Sequence, residues 1–252
     1  RPTTLDEFMV VCETLKENGI TPIGIGNTWQ SFVWPQALMG SMDPDLYDEW
    51  TTGKVDFTDA RIKKVFNKWC EMIEKGYFSD VQQDQVKEFA SGKTAMMFQA
   101  TNLLTGLNDE YGMTSGKDIG IFVLPSEEAK SKQTIFYEVA PFVVGKNSSQ
   151  KEEAKEVLKS YYKNDIQQEY ADKTGISAVT NVTFTDPVSK YLTEKASDEE
   201  HYALKLRYYE QFTPEIVNLS IDEYWKIADN PTEKQVDESL TNIQNKWSEV
   251  ER

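Results

Sequence analysis

The sequence predicts an α/β fold, because short apolar runs alternate with amphipathic helical patterns along its 252 residues. Residues 20–26 form a short strand pattern directly after a helical one. Residues 89–98 fit the end of a helix, a stop at Gly92 and an apolar strand. Residues 119–125 make a third apolar run, which a proline ends. A chain of this length forms one large or two small domains.

The composition argues against several classes of protein. The net charge is −15, with 27 basic and 42 acidic side chains, whereas nucleic-acid binding requires a basic surface. No run approaches the roughly 18–20 apolar residues that span a bilayer. The single histidine, His201, lies in a charged stretch, which argues against a zinc site and against a catalytic triad. No phosphate-binding glycine loop is present, so we expect no cofactor. Because the sequence has no Cys/His cluster, we expect no metal.

Cys12 and Cys70 each lie on a helical pattern. They form either one disulfide or, as we favour, two buried free thiols. The chain starts at Arg1 with no methionine and no apolar leader behind it, so we expect it to begin inside a longer precursor.

Helical patterns recur along the whole chain. Thr4 and Glu7 fit a capping box at the start of the first helix. Residues 59–75 form a strongly amphipathic helix, whereas residues 43–57 resemble a loop. Further helices are expected at residues 32–39, 102–111, 150–164, 165–173, 187–196, 198–212, 221–228 and 232–250.

Polar residues follow the apolar strand within residues 89–98. Gln99 and Asn102 come directly after it, just before the next helical pattern. In α/β folds, a buried strand that releases polar groups before a helix is a common place to hold a ligand. The alternative is an ordinary helix–strand–helix connection.

Residues 27–32 combine aromatic and short polar side chains at the end of the first strand. Asn27, Trp29 and Phe32 all fall within these six positions. A sugar offers apolar ring faces that stack on an aromatic side chain and hydroxyls that form hydrogen bonds. The mixture therefore suits a sugar, although Trp29 is alternatively a core residue of the next helix. Trp34 is expected in the core.

Residues 134–145 form an apolar strand pattern that Pro141 interrupts, and a central strand tolerates proline poorly. A strand that breaks there passes from one domain to another. Glu138 stands just before the break. It lies either on the solvent face of the strand, as the residues alone favour, or against a ligand.

Several stretches together resemble one protein family. Residues 4–8 and 19–23 (TLDEF and GITPI) are similar to its helix and the strand G-I-T-P-I. Residues 89–98 (FASGKTAMMF) are similar to its segment F-x-x-G-K-A-A-M, and residues 120–125 (GIFVLP) to its strand G-x-x-x-L-P. Residues 146–168 are similar to its pair of helices that begins N-S-K-N-K-E-A-A. The family is that of the extracellular solute-binding proteins of bacterial carbohydrate ABC transporters, which includes maltose-binding protein.

The resemblance implies the type II periplasmic-binding-protein fold, in which a hinge joins two α/β lobes and the ligand binds in the cleft between them. Residues 1–140 and 188–252 would form the C-terminal lobe, and residues 141–187 would return to the N-terminal lobe. Most of the N-terminal lobe is expected to lie before Arg1. Residues 141–187 are therefore expected to expose apolar surface.

The resemblance also implies where a ligand binds. Trp29 and Phe32 match the loop after the first strand, together with Asn27. Asn102 stands where the family often has an aromatic side chain, which suggests that Gln99 and Asn102 form hydrogen bonds instead. The other implied contacts are Tyr137 and Glu138, before the lobe crossing, and a late aromatic residue, Tyr224 or Trp225, of which we favour Trp225.

The function that the resemblance implies is reversible binding of a sugar or oligosaccharide, without catalysis, and its delivery to the permease subunits of a bacterial ABC importer. Such a protein is extracytoplasmic, either periplasmic or held at the cell surface by a lipid anchor in the preceding segment. One alternative is a glycoside hydrolase that uses two carboxylates, of which Glu138 is one candidate. Another is a receptor for a non-sugar ligand, such as ferric ion bound by Tyr161 and Tyr162, or an amino acid. We expect no arginine near the candidate sites to hold an amino acid's carboxylate.

Overall fold

The computed structural model describes residues 1–26, 28–81 and 84–250. Helices make up most of the regular structure. They are α1 (Leu5–Glu17), α2 (Val33–Met42), α3 (Pro44–Thr51), α4 (Ala60–Glu74), α5 (Gln85–Ala90), α6 (Leu103–Tyr111), α7 (Lys151–Tyr161), α8 (Asn164–Thr174), α9 (Pro187–Ala196), α10 (Tyr208–Gln211), α11 (Pro214–Asp229) and α12 (Glu233–Val250). The strands are β1 (Thr21–Gly24), β2 (Thr94–Met97), β3 (Gln133–Tyr137) and β4 (Tyr202–Leu206), and a 3₁₀ helix spans Thr28–Phe32.

The chain divides into two compact units. The first unit comprises Arg1–Phe98, Val123–Glu138 and the residues from Asp198 onward. The second unit comprises Gln99–Phe122 and Val139–Ser197. Residues within each unit contact one another more than they contact the other unit. The predicted division into lobes, with 1–140 and 188–252 in one lobe and 141–187 in the other, stays a prediction.

The strands of the first unit pair in parallel. β1 pairs with β2, with Ile23 opposite Met96. β3 pairs with β4, with Tyr137 opposite Leu206. Because both strands of a parallel pair end at the same edge, the residues after β3 and β4 lie side by side, although about 70 residues separate them in sequence.

Close packing of α2 fixes the position of β3. The Thr134 hydroxyl, which is buried, donates a hydrogen bond to the carbonyl of Gly40 at 2.7 Å. A Cβ atom at position 40 would lie 2.8 Å from Cβ of Thr134 and 2.9 Å from the ring of Phe136. Only glycine therefore lets the helix approach the strand so closely.

The predicted helix boundaries are confirmed where the capping residue is local in sequence. The Asp59 carboxylate accepts a hydrogen bond from the Arg61 backbone N–H at 2.8 Å, and α4 begins directly after Asp59, at Ala60. Gly92 has a φ of +74° between α5 and β2, so the stop and the apolar strand are both present.

The cap of α1 differs in one bond from the predicted capping box. The Glu7 backbone N–H donates to the Thr4 hydroxyl at 3.2 Å, as expected. The Glu7 carboxylate accepts from the backbone N–H of Thr3 at 2.7 Å and from its hydroxyl at 2.8 Å. Both bonds go to Thr3 because its two donors lie within reach, one residue before the cap.

Three secondary-structure predictions are wrong. Residues 43–57 include α3, because the Asp43 carboxylate caps it (Leu46 N–H to Oδ1, 3.0 Å) and Pro44 starts it. Residues 198–212 are not one helix, because β4 pairs with β3 there. Within residues 119–125, only Ile119 forms a bridge, which is isolated, and no ladder follows it among the described residues.

Aromatic side chains form the core of the first unit. Trp50 is 1% exposed, and its ring stacks on Tyr208 with the centroids 5.0 Å apart. Trp34 is buried as predicted and meets Phe78 edge-on at 5.2 Å. The other large side chains that are less than 2% exposed include Phe8, Tyr47, Phe57, Phe66, Trp69, Tyr77 and Tyr224.

Cys12 and Cys70 are buried free thiols, which confirms the favoured prediction. Burial away from water disfavours the thiolate and raises the pKa of Cys12 to about 12 and that of Cys70 to about 11. Both thiols are therefore protonated and unreactive at neutral pH.

The second unit exposes the apolar side chains expected between residues 141 and 187. Phe142 is 56% exposed, Val143 84% and Val157 68%. None of the residues of α7 is buried. Among the described residues, no helix has the length and apolar character needed to cross a membrane.

Candidate functional site

The carboxyl ends of β3 and β4 hold a network of charged side chains. The Arg207 backbone N–H donates to the carbonyl of Tyr137 at 3.0 Å, which extends the strand pairing by one residue. The Arg207 guanidinium then reaches Glu138, with Nη1 2.5 Å from Oε2. Its Nε atom also lies 2.8 Å from both carboxylate oxygens of Glu210. One arginine therefore binds two carboxylates at this edge.

The three charged groups differ in exposure. The side chain of Glu138 is 48% exposed, that of Arg207 29% and that of Glu210 18%. Burial raises the pKa of Glu210, while the hydrogen bond from Arg207 acts in the opposite direction and the nearby charge of Glu138 adds to the rise. Glu138 is therefore the more accessible acceptor for a ligand.

An exposed aromatic ring adjoins this network. Tyr209 is 48% exposed, and the Arg207 guanidinium lies 5.4 Å from its ring centroid. The Phe32 ring lies 6.2 Å from the same ring and stacks on Tyr208 at 5.9 Å. Because Phe32 is only 2% exposed, it supports Tyr209 from the protein side.

Tyr208 anchors the network to the core. The Tyr208 backbone N–H donates to Oε1 of Gln36 at 2.8 Å, and its hydroxyl lies 2.5 Å from the Ser220 hydroxyl. Burial raises its pKa well above the usual range. The phenol therefore stays neutral and holds the start of α10, next to Tyr209, against α11.

Two hydrogen bonds hold the 3₁₀ helix in place, one to the segment after β1 and one to α11. The Gly26 backbone N–H donates to Oε1 of Gln30 at 2.8 Å. The Ser31 hydroxyl donates to the carbonyl of Ile221 in α11 at 3.2 Å. Trp225 follows Ile221 by one helical turn and is partly exposed.

The predicted site residues fall into three groups. Tyr137 and Glu138 lie at the charged network, and Tyr137 is 46% exposed. Asn27 and the side chain of Trp29 lie outside the described residues. Gln99 and Asn102 belong to the second unit, where Asn102 is exposed and starts α6 without a capping hydrogen bond from its side chain.

Three residues of the candidate site are not predicted by the sequence, namely Arg207, Tyr209 and Glu210. The expectation that no arginine lies near the candidate site is wrong, since Arg207 contacts Glu138 directly. The signal was available in residues 202–206 (YALKL), whose alternation fits a strand. It was hidden because the charged residues before it resemble a helix start.

Metal-binding groups, His201 and the tyrosine pair Tyr161 and Tyr162 were also considered from the sequence, and the structure places them as follows. Among the residues that the structure describes, no group of three or more His, Cys, Asp or Glu side chains converges to hold a metal ion. His201 is exposed and lies 3.0 Å from the Asp198 carboxylate, in the turn before β4. Tyr161 and Tyr162 meet edge-on at 5.4 Å in the second unit.

The sequence is similar to those of known solute-binding proteins. The family model described as bacterial extracellular solute-binding protein matches residues 2–168. An uncharacterised ABC transporter extracellular-binding protein of Pyrococcus horikoshii is 32% identical over 74 residues, which make up 28% of this chain and 17% of that protein.

Solved structures share the fold. A chitin oligosaccharide binding protein has a TM-score of 0.77 and 19% identity, over 98% of this chain and 65% of that one. The bacterial solute receptor AcbH, described with an exclusive preference for β-D-galactopyranose, has a TM-score of 0.80 and 17% identity, over 100% of this chain and 66% of that one. This chain thus spans less than two thirds of either protein. The predicted type II periplasmic-binding-protein fold is confirmed.

Proposed function

Because this chain belongs to the family of bacterial extracellular solute-binding proteins, we propose that it binds the substrate of an ABC importer and that this substrate is a sugar or oligosaccharide. Two proteins that share its fold are named for a chitin oligosaccharide and for β-D-galactopyranose. Those names concern the relatives, and they support a carbohydrate here without selecting one.

The observation that carries the proposal is the pairing of exposed rings with hydrogen-bonding groups at the ends of β3 and β4. Tyr137 and Tyr209 are each nearly half exposed. The Arg207 guanidinium lies 5.4 Å from the ring centroid of Tyr209 and pairs with the carboxylate of Glu138, which follows Tyr137 directly. Sugar binding uses this combination, because a ring face stacks on an aromatic side chain while hydroxyls bond to charged groups.

The individual roles follow from exposure. Glu138 accepts hydrogen bonds from sugar hydroxyls, and Tyr209 offers a ring face. Phe32, being buried, acts through its contact with Tyr209. The remaining contacts proposed on family resemblance are Asn27, Trp29, Gln99, Asn102, Tyr137 and Trp225.

Binding is favoured over glycoside hydrolysis. A hydrolase needs two carboxyl groups with separate roles, one of them protonated as the acid. Here Glu138 and Glu210 are both tied to the guanidinium of Arg207 by charge-assisted hydrogen bonds. The two carboxylates therefore share one cationic partner, and the geometry gives them no separate acid and base roles.

The cellular setting follows from the family. We propose that the protein works outside the cytoplasm, either in a periplasm or held by a lipid anchor, and that it presents its ligand to permease subunits. We also propose that residues 1–140 and 188–252 belong to one lobe of the family fold and that residues 141–187 belong to the other.

Titration calorimetry of the full-length protein against neutral mono- and oligosaccharides is expected to give saturable binding to at least one of them. Chromatography of the same sugars after incubation is expected to find them intact. A failure of every sugar to bind would contradict the proposal. Product release that Glu138→Gln abolishes would favour a glycoside hydrolase instead.

A further inference from the structure

We infer that the ligand is an uncharged or basic sugar and that sugar acids are rejected, because the arginine of the site is already held by two carboxylates of the protein. This inference rests on the proposed sugar-binding function and narrows it to a chemical class. The feature responsible is the network of Glu138, Arg207 and Glu210 at the ends of β3 and β4.

The positive charge of Arg207 is already balanced by carboxylates of the protein. A protein that recognises a carboxylate usually presents an arginine fork, with two parallel N–H donors aimed at the two oxygens. In this site Nε lies 2.8 Å from both oxygens of Glu210, and Nη1 lies 2.5 Å from Glu138. An incoming carboxylate would therefore meet two like charges beside the guanidinium, which disfavours its binding.

The charge balance also opposes an anion. The network carries two carboxylates and one guanidinium, so its net charge is −1 when both carboxylates are ionised. If Glu210 were protonated, the net charge of the network would be zero. The protein as a whole carries a net charge of −15, which adds to the repulsion of an anionic ligand.

Lysines on the neighbouring elements do not change this balance. Lys205, in β4, pairs with Asp48 and is only 12% exposed. Lys226, in α11, pairs with Glu223 at 2.7 Å. Both cations therefore have a carboxylate partner of their own.

Neutral and basic sugars meet no such conflict. The carboxylate of Glu138 is 48% exposed and has lone pairs beyond the one that accepts from Arg207. A hydroxyl donates to such an acceptor, and an ammonium group of an amino sugar donates more strongly because the bond is charge-assisted. The site therefore accepts the neutral and amino forms of a sugar.

The test is a glycan array that carries neutral oligosaccharides, amino sugars, and glycans ending in uronic or sialic acids, probed with the full-length protein. The expected result is binding to neutral or amino glycans, with signals at least about tenfold above those of the acidic counterparts. Acidic glycans bound as tightly as their neutral counterparts would overturn the inference. Binding to no glycan would instead contradict the proposed function itself, so the two failures are distinguishable.

Variants of the network give a second readout on the same array. Glu138→Gln, and the double variant Glu138→Gln/Glu210→Gln, keep an oxygen that accepts from Arg207 but remove negative charge beside it. They are expected to raise the ratio of acidic to neutral binding by about tenfold. Glu128→Gln is the matched control, since it makes the same change in net charge on an exposed loop. An equal ratio in Glu138→Gln and Glu128→Gln would contradict the inference. If the double variant fails to fold, the single change at the half-exposed Glu138 still decides the question.

Discussion

Replacing Trp50 with alanine is expected to lower the free energy of unfolding of the first unit by about 3–5 kcal/mol. Trp50 is 1% exposed and stacks on Tyr208 at 5.0 Å, while Phe57 meets it edge-on at 5.3 Å. Removal of the indole would leave a cavity beneath Tyr208. That residue precedes Tyr209, so the change is also expected to loosen the candidate site.

A urea titration followed by far-ultraviolet circular dichroism would measure this loss as a lower transition midpoint. Trp50→Phe is the matched control, because it keeps one aromatic ring in the core and removes only the second ring of the indole with its N–H, which has no hydrogen-bond partner. We expect the phenylalanine variant to lose clearly less stability than the alanine variant. A loss below about 1 kcal/mol in Trp50→Ala would contradict the central place given to this side chain.

The second large effect is expected at Tyr209. Tyr209→Ala should weaken sugar binding by about 1–3 kcal/mol, or roughly 5- to 150-fold, because the substitution removes an exposed ring face while the core beneath it remains. Titration calorimetry with whichever sugar binds the unaltered protein would measure the change.

The comparison with Tyr209→Phe separates stacking from hydrogen bonding. The phenylalanine variant keeps the ring, its contact with Phe32 and its place beside Arg207. We expect it to bind nearly as tightly as the unaltered protein. Equal affinities for all three proteins would remove Tyr209 from the site.

Local signals made much of the helical structure predictable. Thr4, Asp59 and Gly92 each act within a few residues of their own position, either by accepting a backbone N–H or by adopting a left-handed conformation. The sequence therefore shows directly where these helices begin or end. In the same way, the apolar run before Gln99 revealed β2.

Long-range pairing was the part that the sequence concealed. Residues 202–206 form a strand only because β3 lies beside them, and that partner is about 70 residues away in the chain. Without the pairing, the local pattern favours one helix over residues 198–212. Arg207 could not then be placed next to Glu138.

Only part of the candidate site can be predicted from the sequence. Tyr137 and Glu138 were identified from the interrupted strand and the family resemblance, and they lie at the charged network. Their partners Arg207, Tyr209 and Glu210 required the parallel register of β3 and β4. Phe32, which the resemblance implies as a stacking contact, is instead buried beneath Tyr209 and against Tyr208, and sequence spacing does not reveal that packing.

The most direct test is a crystal structure of the full-length protein with a bound sugar. The predicted result places a sugar hydroxyl within about 2.5–3.0 Å of the Glu138 carboxylate and a sugar ring within about 4 Å of the ring of Tyr209. A sugar that contacts neither Glu138 nor Tyr209 would contradict the proposal that the ends of β3 and β4 form the binding site.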